Sequence, residues 1–160
     1  MNITRKFIGI HDVKVDGKNR ITLPNKFRDV LKEIDAENSE HVIVTFWFDK
    51  SLAIFPPKSY DNFISFLESS SEFDENTRDL HRIFIEGATE LSFDSQNRIT
   101  LPQIYLEKTG ISKDVFVTGD KDKMLVREAI SWDKNLTSAI SNLSDTAQKT
   151  LMSIKNRPLE

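Results

Sequence analysis

The chain contains the same short pattern twice, and this internal repeat constrains its fold more than any other feature. The first copy occupies residues 13–24 and the second residues 91–102. Both end in Asn-Arg-Ile-Thr-Leu-Pro, and both place an Asp four residues before the Arg. Identity over this segment, inside a matching hydrophobic pattern, is improbable by chance. The sequence therefore predicts two units of similar structure.

Each copy predicts two strands joined by a tight turn. In the first copy, residues 12–15 alternate as a half-buried strand does, and residues 16–19 have the composition of a turn. Residues 21–23 are apolar or β-branched and predict a second strand, which Pro24 ends because proline cannot donate to a ladder.

A helix and a hairpin are predicted after each proline. Phe27, Val30, Leu31 and Ile34 recur at helical spacing, which would leave Arg28 on the polar face together with Lys26, Asp29 and Lys32. The apolar residues after Pro102 predict a shorter helix that ends at Gly110. Hairpins are expected around residues 49–51 and 119–122.

Two further helical regions complete the prediction. Residues 60–67 and a segment capped by Asn76 or Thr77 form a helical connector that stops near Gly87. From a cap at Ser131, one long terminal helix carries an apolar stripe, for which packing on the body and binding of a partner both stay open. The predicted boundaries are 11–58 for repeat 1, 59–87 for the connector, 88–131 for repeat 2 and 132–160 for the terminal helix.

Composition excludes several classes of protein. Of the 160 residues, 38% are hydrophobic and 29% charged, a balance typical of soluble globular domains. No apolar run approaches the ~20 residues of a membrane span, and we expect no signal peptide. The absence of cysteine excludes disulfides and thiolate metal sites and fits a cytoplasmic protein.

Charge is segregated along the chain although the net charge is only −3. Residues 1–32 contain eight Lys or Arg against three acids, whereas residues 33–76 contain two basic residues against ten acids. Such segregation is typical of an electrostatic footprint for nucleic acid, but a solvated charged face would also produce it.

The repeated turns supply the candidate site residues. Each turn Asp is interpreted mainly as a structural acceptor, because its side chain can bond to local backbone N–H groups. Each Arg could pair with that Asp or present its guanidinium to phosphate or guanine. The first copy is the more basic, so we expect Arg20 to contribute more DNA affinity than Arg98. The DNA-binding candidates are Arg5, Lys6, Lys14, Lys18, Arg20 and Arg98, and the structural turn residues are Asp16, Asn19, Asp94 and Asn97.

The doubled motif resembles the MraZ family of bacterial regulators over nearly the whole chain. Phe7-Ile8-Gly9 with His11, followed by residues 15–28, is similar to the opening signature of that family, and residues 88–90 before 93–98 resemble its second signature. The resemblance implies an α+β fold of two AbrB-like swapped-hairpin repeats, forming an intrachain pseudo-dimer barrel with connecting amphipathic helices and a C-terminal helix.

The same resemblance implies a function. Members of the family are cytoplasmic, nucleoid-associated proteins that assemble as homo-oligomers into closed rings. They bind direct repeats in double-stranded DNA upstream of the operon for cell division and wall synthesis, generally as repressors. The resemblance implies no cofactor, metal, membrane or small-molecule substrate.

The sequence departs from the family pattern in two places. Asn19 and Asn97 stand where the family commonly has Gly before the motif Arg. Asn is the non-glycine residue most able to adopt positive φ, so we expect both turns to form. Arg127 aligns where the family often has Trp at the end of the second hairpin, which puts a stacking contact there in doubt.

Other functions remain as alternatives. An enzyme is disfavoured, because the three His residues have no metal-ligand spacing and no phosphate-binding or nucleophile motif is present. An antitoxin-type swapped-hairpin protein would neutralise a partner through its C-terminal helix, but that class normally has one hairpin copy. A purely structural ring would bind no DNA, and the basic N-terminal segment argues against it.

Overall fold

The computed structural model describes residues 6–69 and 73–157. They belong to two compact units, one ending at Glu128 and the other beginning at Ala129. The first unit contains both copies of the repeated motif, and the second contains the terminal helices.

The described residues of the first unit contain eight strands. Those of the first repeat are β1 (Ile10–Lys14), β2 (Arg20–Thr22), β3 (His41–Trp47) and β4 (Ser51–Phe55). Those of the second repeat are β5 (Thr89–Ser92), β6 (Arg98–Thr100), β7 (Asp114–Asp120) and β8 (Lys123–Glu128).

These strands form a six-stranded sheet and a two-stranded ribbon. The order in the sheet is β1-β7-β8-β4-β3-β5, the ribbon pairs β2 with β6, and every pair is antiparallel. Four pairings join strands of different repeats: β1 lies on β7, β5 on β3, β4 on β8 and β2 on β6. The other two pairings, β3 with β4 and β7 with β8, are hairpins within one repeat. The two repeats therefore build one structure together. Over the described residues the large sheet is open, with edges at β1 and β5.

Helices connect the strands, which confirms the predicted mixture of helix and strand. In the first unit they are α1 (Asn25–Ile34), α2 (Pro57–Glu68), α3 (Glu75–His81) and α4 (Gln103–Thr109), and α3 continues into a π-helical turn, Arg82–Glu86. The second unit contains α5 (Ala129–Ser141) and α6 (Leu143–Lys155). Within the described residues, none of the helices is both long and apolar enough to span a membrane.

The core lies on both faces of the large sheet. On one face, the sheet packs against α1, α4 and the inward side chains of the ribbon, including the fully buried Ile21 and Ile99. On the other face, Phe55 and Leu125 pack with Phe63 of α2. All five residues of β4 are buried, as expected for a central strand covered on both sides.

Side-chain hydroxyls attach the π-helical turn and the following Gly87 to β3, α2 and α4. Thr45 donates a hydrogen bond to the carbonyl of Ile83 (3.0 Å), and Tyr60 donates to the carbonyl of Phe84 (2.9 Å). The Tyr105 hydroxyl lies 2.7 Å from the carbonyl of Gly87. These contacts satisfy carbonyls at the end of a helix, where the backbone has no partner of its own.

The second helix of the connector begins earlier than the sequence predicted. The predicted cap at Asn76 or Thr77 was wrong, because Asp74 precedes the helix and accepts a hydrogen bond from the backbone N–H of Asn76 (2.8 Å). Asp is also a preferred N-cap residue, so the composition of the segment allowed either position.

The prediction of a single terminal helix was also wrong. The helical region begins at Ala129, before the predicted cap at Ser131, and is interrupted at Asn142. There the Ser141 hydroxyl donates to the carbonyl of Thr137, and the Asn142 amide donates to that of Ser138. Such side-chain hydrogen bonds compete with the helical backbone pattern, which hydrophobic spacing does not reveal.

The turn between β7 and β8 is shorter than predicted, because β7 continues through Gly119 to Asp120. A Cβ at Gly119 would clash with the backbone N of Ile8 and the carbonyl carbon of Phe7. This glycine therefore allows the N-terminal segment to pair closely alongside β7, and it does not mark a turn.

Candidate nucleic-acid interface

The first motif turn is organised by the carboxylate of Asp16. Its Oδ1 accepts hydrogen bonds from the backbone N–H groups of Lys18 and Arg20, both at 2.9 Å. Its Oδ2 accepts one from Nε of Arg20 at 2.7 Å. These donors, led by the Arg20 backbone N–H, lower the pKa of Asp16 to about 2. The turn thus contains an ionised carboxylate that holds the Arg side chain.

The second turn has the same geometry. Oδ1 of Asp94 accepts from the backbone N–H groups of Gln96 and Arg98, both at 2.9 Å, and Oδ2 accepts from Nε of Arg98 at 2.7 Å. The pKa of Asp94 is lowered, mainly by the hydrogen bond from the Arg98 backbone N–H. The two turns therefore hold their arginines with equal distances.

Positive φ angles close both turns. The φ angle is 60° at Asn19 and 58° at Asn97, the left-handed conformation predicted for Asn at these positions. The Asn19 amide donates to Oε1 of Gln103 at 2.8 Å, and the Asn97 amide donates to Oδ1 of Asn25 at 3.3 Å. Each turn is thus held by the first helix residue of the other repeat.

The ribbon places both arginines on one outer face. Arg20 lies opposite Thr100, Ile21 opposite Ile99, and Thr22 opposite Arg98. Because side chains alternate across a strand and both isoleucines are buried, the arginines point away from the core.

Each of the two guanidinium groups is held by its turn Asp through Nε alone. Their side chains are 26% and 25% exposed. Within residues 6–69 and 73–157, neither guanidinium donates a hydrogen bond through its terminal nitrogens. Each group therefore has the two N–H-bearing nitrogens of its outer edge available for an anionic or base-edge acceptor.

The remaining predicted DNA-binding residues are not all gathered at this face. Lys18 is exposed in the first turn. Lys14 is paired with Asp114 at 2.6 Å, which raises the pKa of the lysine and lowers that of the aspartate. Lys6 lies beyond the opposite end of β1, where the adjacent Phe7 forms a bridge to Lys121. Arg5 lies outside the described residues.

Arg28 lies beside the site, and its predicted place on the polar face of α1 was wrong, because it is only 7% exposed. Its Nη1 donates to the carbonyl of Ser39 at 2.6 Å, and its guanidinium lies 3.7 Å from the ring centroid of Phe93, the residue before the second turn. Helical periodicity does not predict that a charged residue packs on an aromatic ring. This stack also joins residues of different repeats, so the sequence alone did not indicate it.

Behind the first turn, no guanidinium stacks on an aromatic ring as Arg28 does on Phe93 among the described residues. Leu106 and Val15 occupy the positions equivalent to Arg28 and Phe93, and they line an open cavity of about 350 Å³ beside Asp16 and Asn19. The two turns are thus alike in their own hydrogen bonds but differ in what packs behind them.

Metal binding has no support in the described part of the chain, where no group of three His, Cys, Asp or Glu side chains is close enough to hold an ion. His11 instead packs edge-on against Phe27 (centroids 4.8 Å apart), and Nδ1 of His41 lies 3.0 Å from the Ser92 hydroxyl.

Comparison with known proteins gives consistent similarities. The family model described as "MraZ protein, putative antitoxin-like" matches residues 7–83 and again residues 84–154. The transcriptional regulator MraZ of Clavibacter michiganensis subsp. michiganensis is 29% identical over 145 residues, covering 91% of this chain and 96% of that protein.

Two further relatives have the same name. The transcriptional regulator MraZ of Acetivibrio thermocellus is 30% identical over 146 residues, covering 91% of this chain and 97% of its own. That of Lachnoclostridium phytofermentans is 29% identical over 139 residues, covering 87% and 93%.

Proposed function

The chain belongs to the MraZ family, whose relatives are named transcriptional regulators, and we propose that it regulates transcription by binding double-stranded DNA sequence-specifically. The observation that carries the proposal is the pair of arginines, Arg20 and Arg98, on the outer face of one two-stranded ribbon. The family is one of regulators and not of enzymes, in agreement with the expectation from the sequence.

The chemistry of the ribbon suits DNA. A guanidinium anchored through Nε presents its two terminal nitrogens as a fork, which matches phosphate oxygens or the O6 and N7 acceptors of guanine. Holding the fork in place before binding reduces the side-chain entropy lost on association. Asp16 and Asp94 therefore act as positioning groups for the arginines in this proposal.

We assign the larger share of DNA affinity to the first turn. Because the hydrogen bonds of the two arginines are alike, the difference must come from their neighbours. Lys18 in the first turn adds a positive charge, whereas the equivalent residue in the second turn is the uncharged Gln96. A second cation near phosphate strengthens binding and its dependence on salt.

We further propose that several copies act together. A closed ring of copies, each with its two repeats interleaved as an AbrB-like swapped-hairpin pseudo-dimer barrel, would contact successive direct repeats. The operator proposed from the family resemblance lies upstream of the cell-division and cell-wall operon, with repression as the effect and the nucleoid as the location. Simultaneous contacts would multiply weak individual affinities.

Fluorescence anisotropy with a labelled duplex from the chain's own upstream region tests this function. We expect tighter binding to that duplex than to a scrambled one, and an affinity that falls linearly with salt on logarithmic axes. No preference between the two duplexes would overturn the proposal. Light scattering of the free protein separates a ring from a monomer or dimer.

Substitution of the arginines tests the assignment of residues. Arg20→Ala should weaken binding by roughly 5- to 150-fold, corresponding to about 1–3 kcal/mol for a lost arginine contact. Arg98→Ala should cost less. Arg82→Ala is a matched control, because Arg82 is an exposed arginine paired with Asp79 at 2.8 Å in the connector. Equal losses for Arg20→Ala and Arg98→Ala would refute the asymmetry between the turns.

The two alternatives are disfavoured. An antitoxin-type protein normally has one hairpin copy, whereas the family model matches this chain twice. A purely structural ring would show no preference for the upstream duplex, so the same binding experiment separates it from a regulator.

A further inference from the structure

The outer face of the ribbon contains two threonines in addition to the arginines. Thr22 and Thr100 are exposed, and each lies directly opposite an arginine of the other repeat. The residues between them and the arginines, Ile21 and Ile99, are 0% and 1% exposed. The face is therefore formed by four side chains, two from each repeat.

The ribbon that carries this face is held by backbone hydrogen bonds and by buried side chains. Ribbon pairing extends beyond the strands, because the N–H of Leu23 donates to the carbonyl of Asn97 (3.1 Å) and that of Leu101 donates to the carbonyl of Asn19 (2.8 Å). Leu23 and Leu101 are each 1% exposed and anchor the ribbon to the core.

The arginine side chains extend toward their turns, so the threonines occupy the centre of the face. Each guanidinium is bonded through Nε to an Asp that precedes it by four residues, so it is drawn toward its own turn. Within the described ranges, neither the Thr22 hydroxyl nor the Thr100 hydroxyl makes a hydrogen bond to another residue. Both hydroxyls are available to a ligand at the centre of the ribbon.

We propose that Thr22 and Thr100 contact base edges in the major groove and help determine which sequence is bound. This inference rests on the proposed DNA-binding function and extends it to two residues. A two-stranded ribbon fits the major groove, where a threonine hydroxyl can donate or accept and its methyl can pack on the thymine methyl. Because the two threonines are diagonal neighbours on the ribbon, which typically lie about 7–8 Å apart, they would contact nearby base pairs between the arginine contacts.

Isosteric substitution tests the proposal. Thr22→Val and Thr100→Val remove the hydroxyl while retaining shape, β-branching and charge, and Thr22→Ser retains the hydroxyl without the methyl. Thr150→Val on α6 is the control, since Thr150 is also an exposed threonine but lies in the second unit. Far-UV circular dichroism and thermal unfolding establish that each variant is folded.

Affinities are measured for the upstream duplex and for a scrambled duplex of equal composition. Each valine variant should reduce the preference for the upstream duplex by about two- to tenfold, the effect of one hydrogen bond, with an unchanged salt dependence. Thr150→Val should have no effect.

Wild-type preference combined with unchanged preference in both valine variants would overturn this inference and leave the proposed function intact. Equal loss of affinity for both duplexes would indicate phosphate contacts and would also overturn it. If the wild type itself does not prefer the upstream duplex, the proposed function fails, and this inference fails with it.

Discussion

Replacing Tyr105 with Phe should destabilise the first unit through the loss of a single oxygen atom. Tyr105 is 1% exposed, and its hydroxyl lies 2.9 Å from the carbonyl of Val44, 2.7 Å from that of Gly87 and 2.9 Å from the Thr89 hydroxyl. It thereby joins α4 of the second repeat to β3 of the first and to the end of the connector.

The expected cost follows from these partners. One hydroxyl proton can serve only one carbonyl at a time, and the oxygen can also accept from Thr89. Phe would leave a buried carbonyl and a hydroxyl without this partner, and each unsatisfied buried group costs about 1–3 kcal/mol. We expect a loss of about 2–3 kcal/mol in the free energy of unfolding, or roughly 4–12 °C in the thermal midpoint for a chain of this size.

Urea unfolding followed by far-UV circular dichroism measures this loss. Tyr60→Phe is a matched control, because the Tyr60 hydroxyl has one carbonyl partner, that of Phe84, and is only half-buried. It should cost about 1 kcal/mol or less, with the same urea dependence. If Tyr105→Phe costs no more than Tyr60→Phe, the described hydroxyl network does not contribute as argued.

The same hydroxyl predicts an alkaline effect. Burial raises the pKa of Tyr105 above its ordinary value of 10.0. A group whose pKa is raised by folding contributes stability below its unfolded pKa, and this contribution is lost as pH rises through the folded value. Wild-type stability should therefore fall above about pH 10 more steeply than that of Tyr105→Phe.

Substitutions at Asp16, Asn19 and Gly119 test the turns and the close approach of the N-terminal segment to β7. Because folding lowers the pKa of Asp16 to about 2, the stability it contributes is present above pH 4 and is lost toward pH 2; Asp16→Asn should flatten that part of an acid titration. Asn19→Ala should cost about 1–2 kcal/mol in urea unfolding, and Asn19→Gly less, because φ is positive there; equal costs would contradict the conformational argument. Gly119→Ala should cost about 1–3 kcal/mol through the clash with the N-terminal segment, whereas Gly17→Ala, whose added Cβ would meet no atom within 4 Å, should be neutral in the same assay.

Local elements were largely predictable from the sequence. The two turns, the helix after each proline and the hairpins follow from proline, asparagine and apolar spacing, which act over a few residues. The resemblance of the repeated motif also indicated the family. The errors at Asp74 and Asn142 arose where a polar side chain, and not the apolar pattern, decides where a helix begins or breaks.

The pattern of charge along the chain predicted less of the structure than the apolar and turn patterns did. The basic N-terminal segment predicted one positive surface, but the structure separates its members. Lys14 is paired with Asp114, Arg28 is buried against Phe93, and Lys6 lies at the far end of β1 from the turns. Partners distant in sequence determine whether a charge is available, and their positions depend on strand pairing.

By itself, the sequence determined that the chain has two similar repeats, each with a turn held by an Asp carboxylate before a short strand. Only the tertiary structure decided that β2 pairs with β6, so that Arg20 and Arg98 share one face with Thr22 and Thr100. The physical reason is that the motif specifies which side of its own strand is buried, through Ile21 and Ile99. The partner strand is selected by long-range burial, which no local pattern encodes.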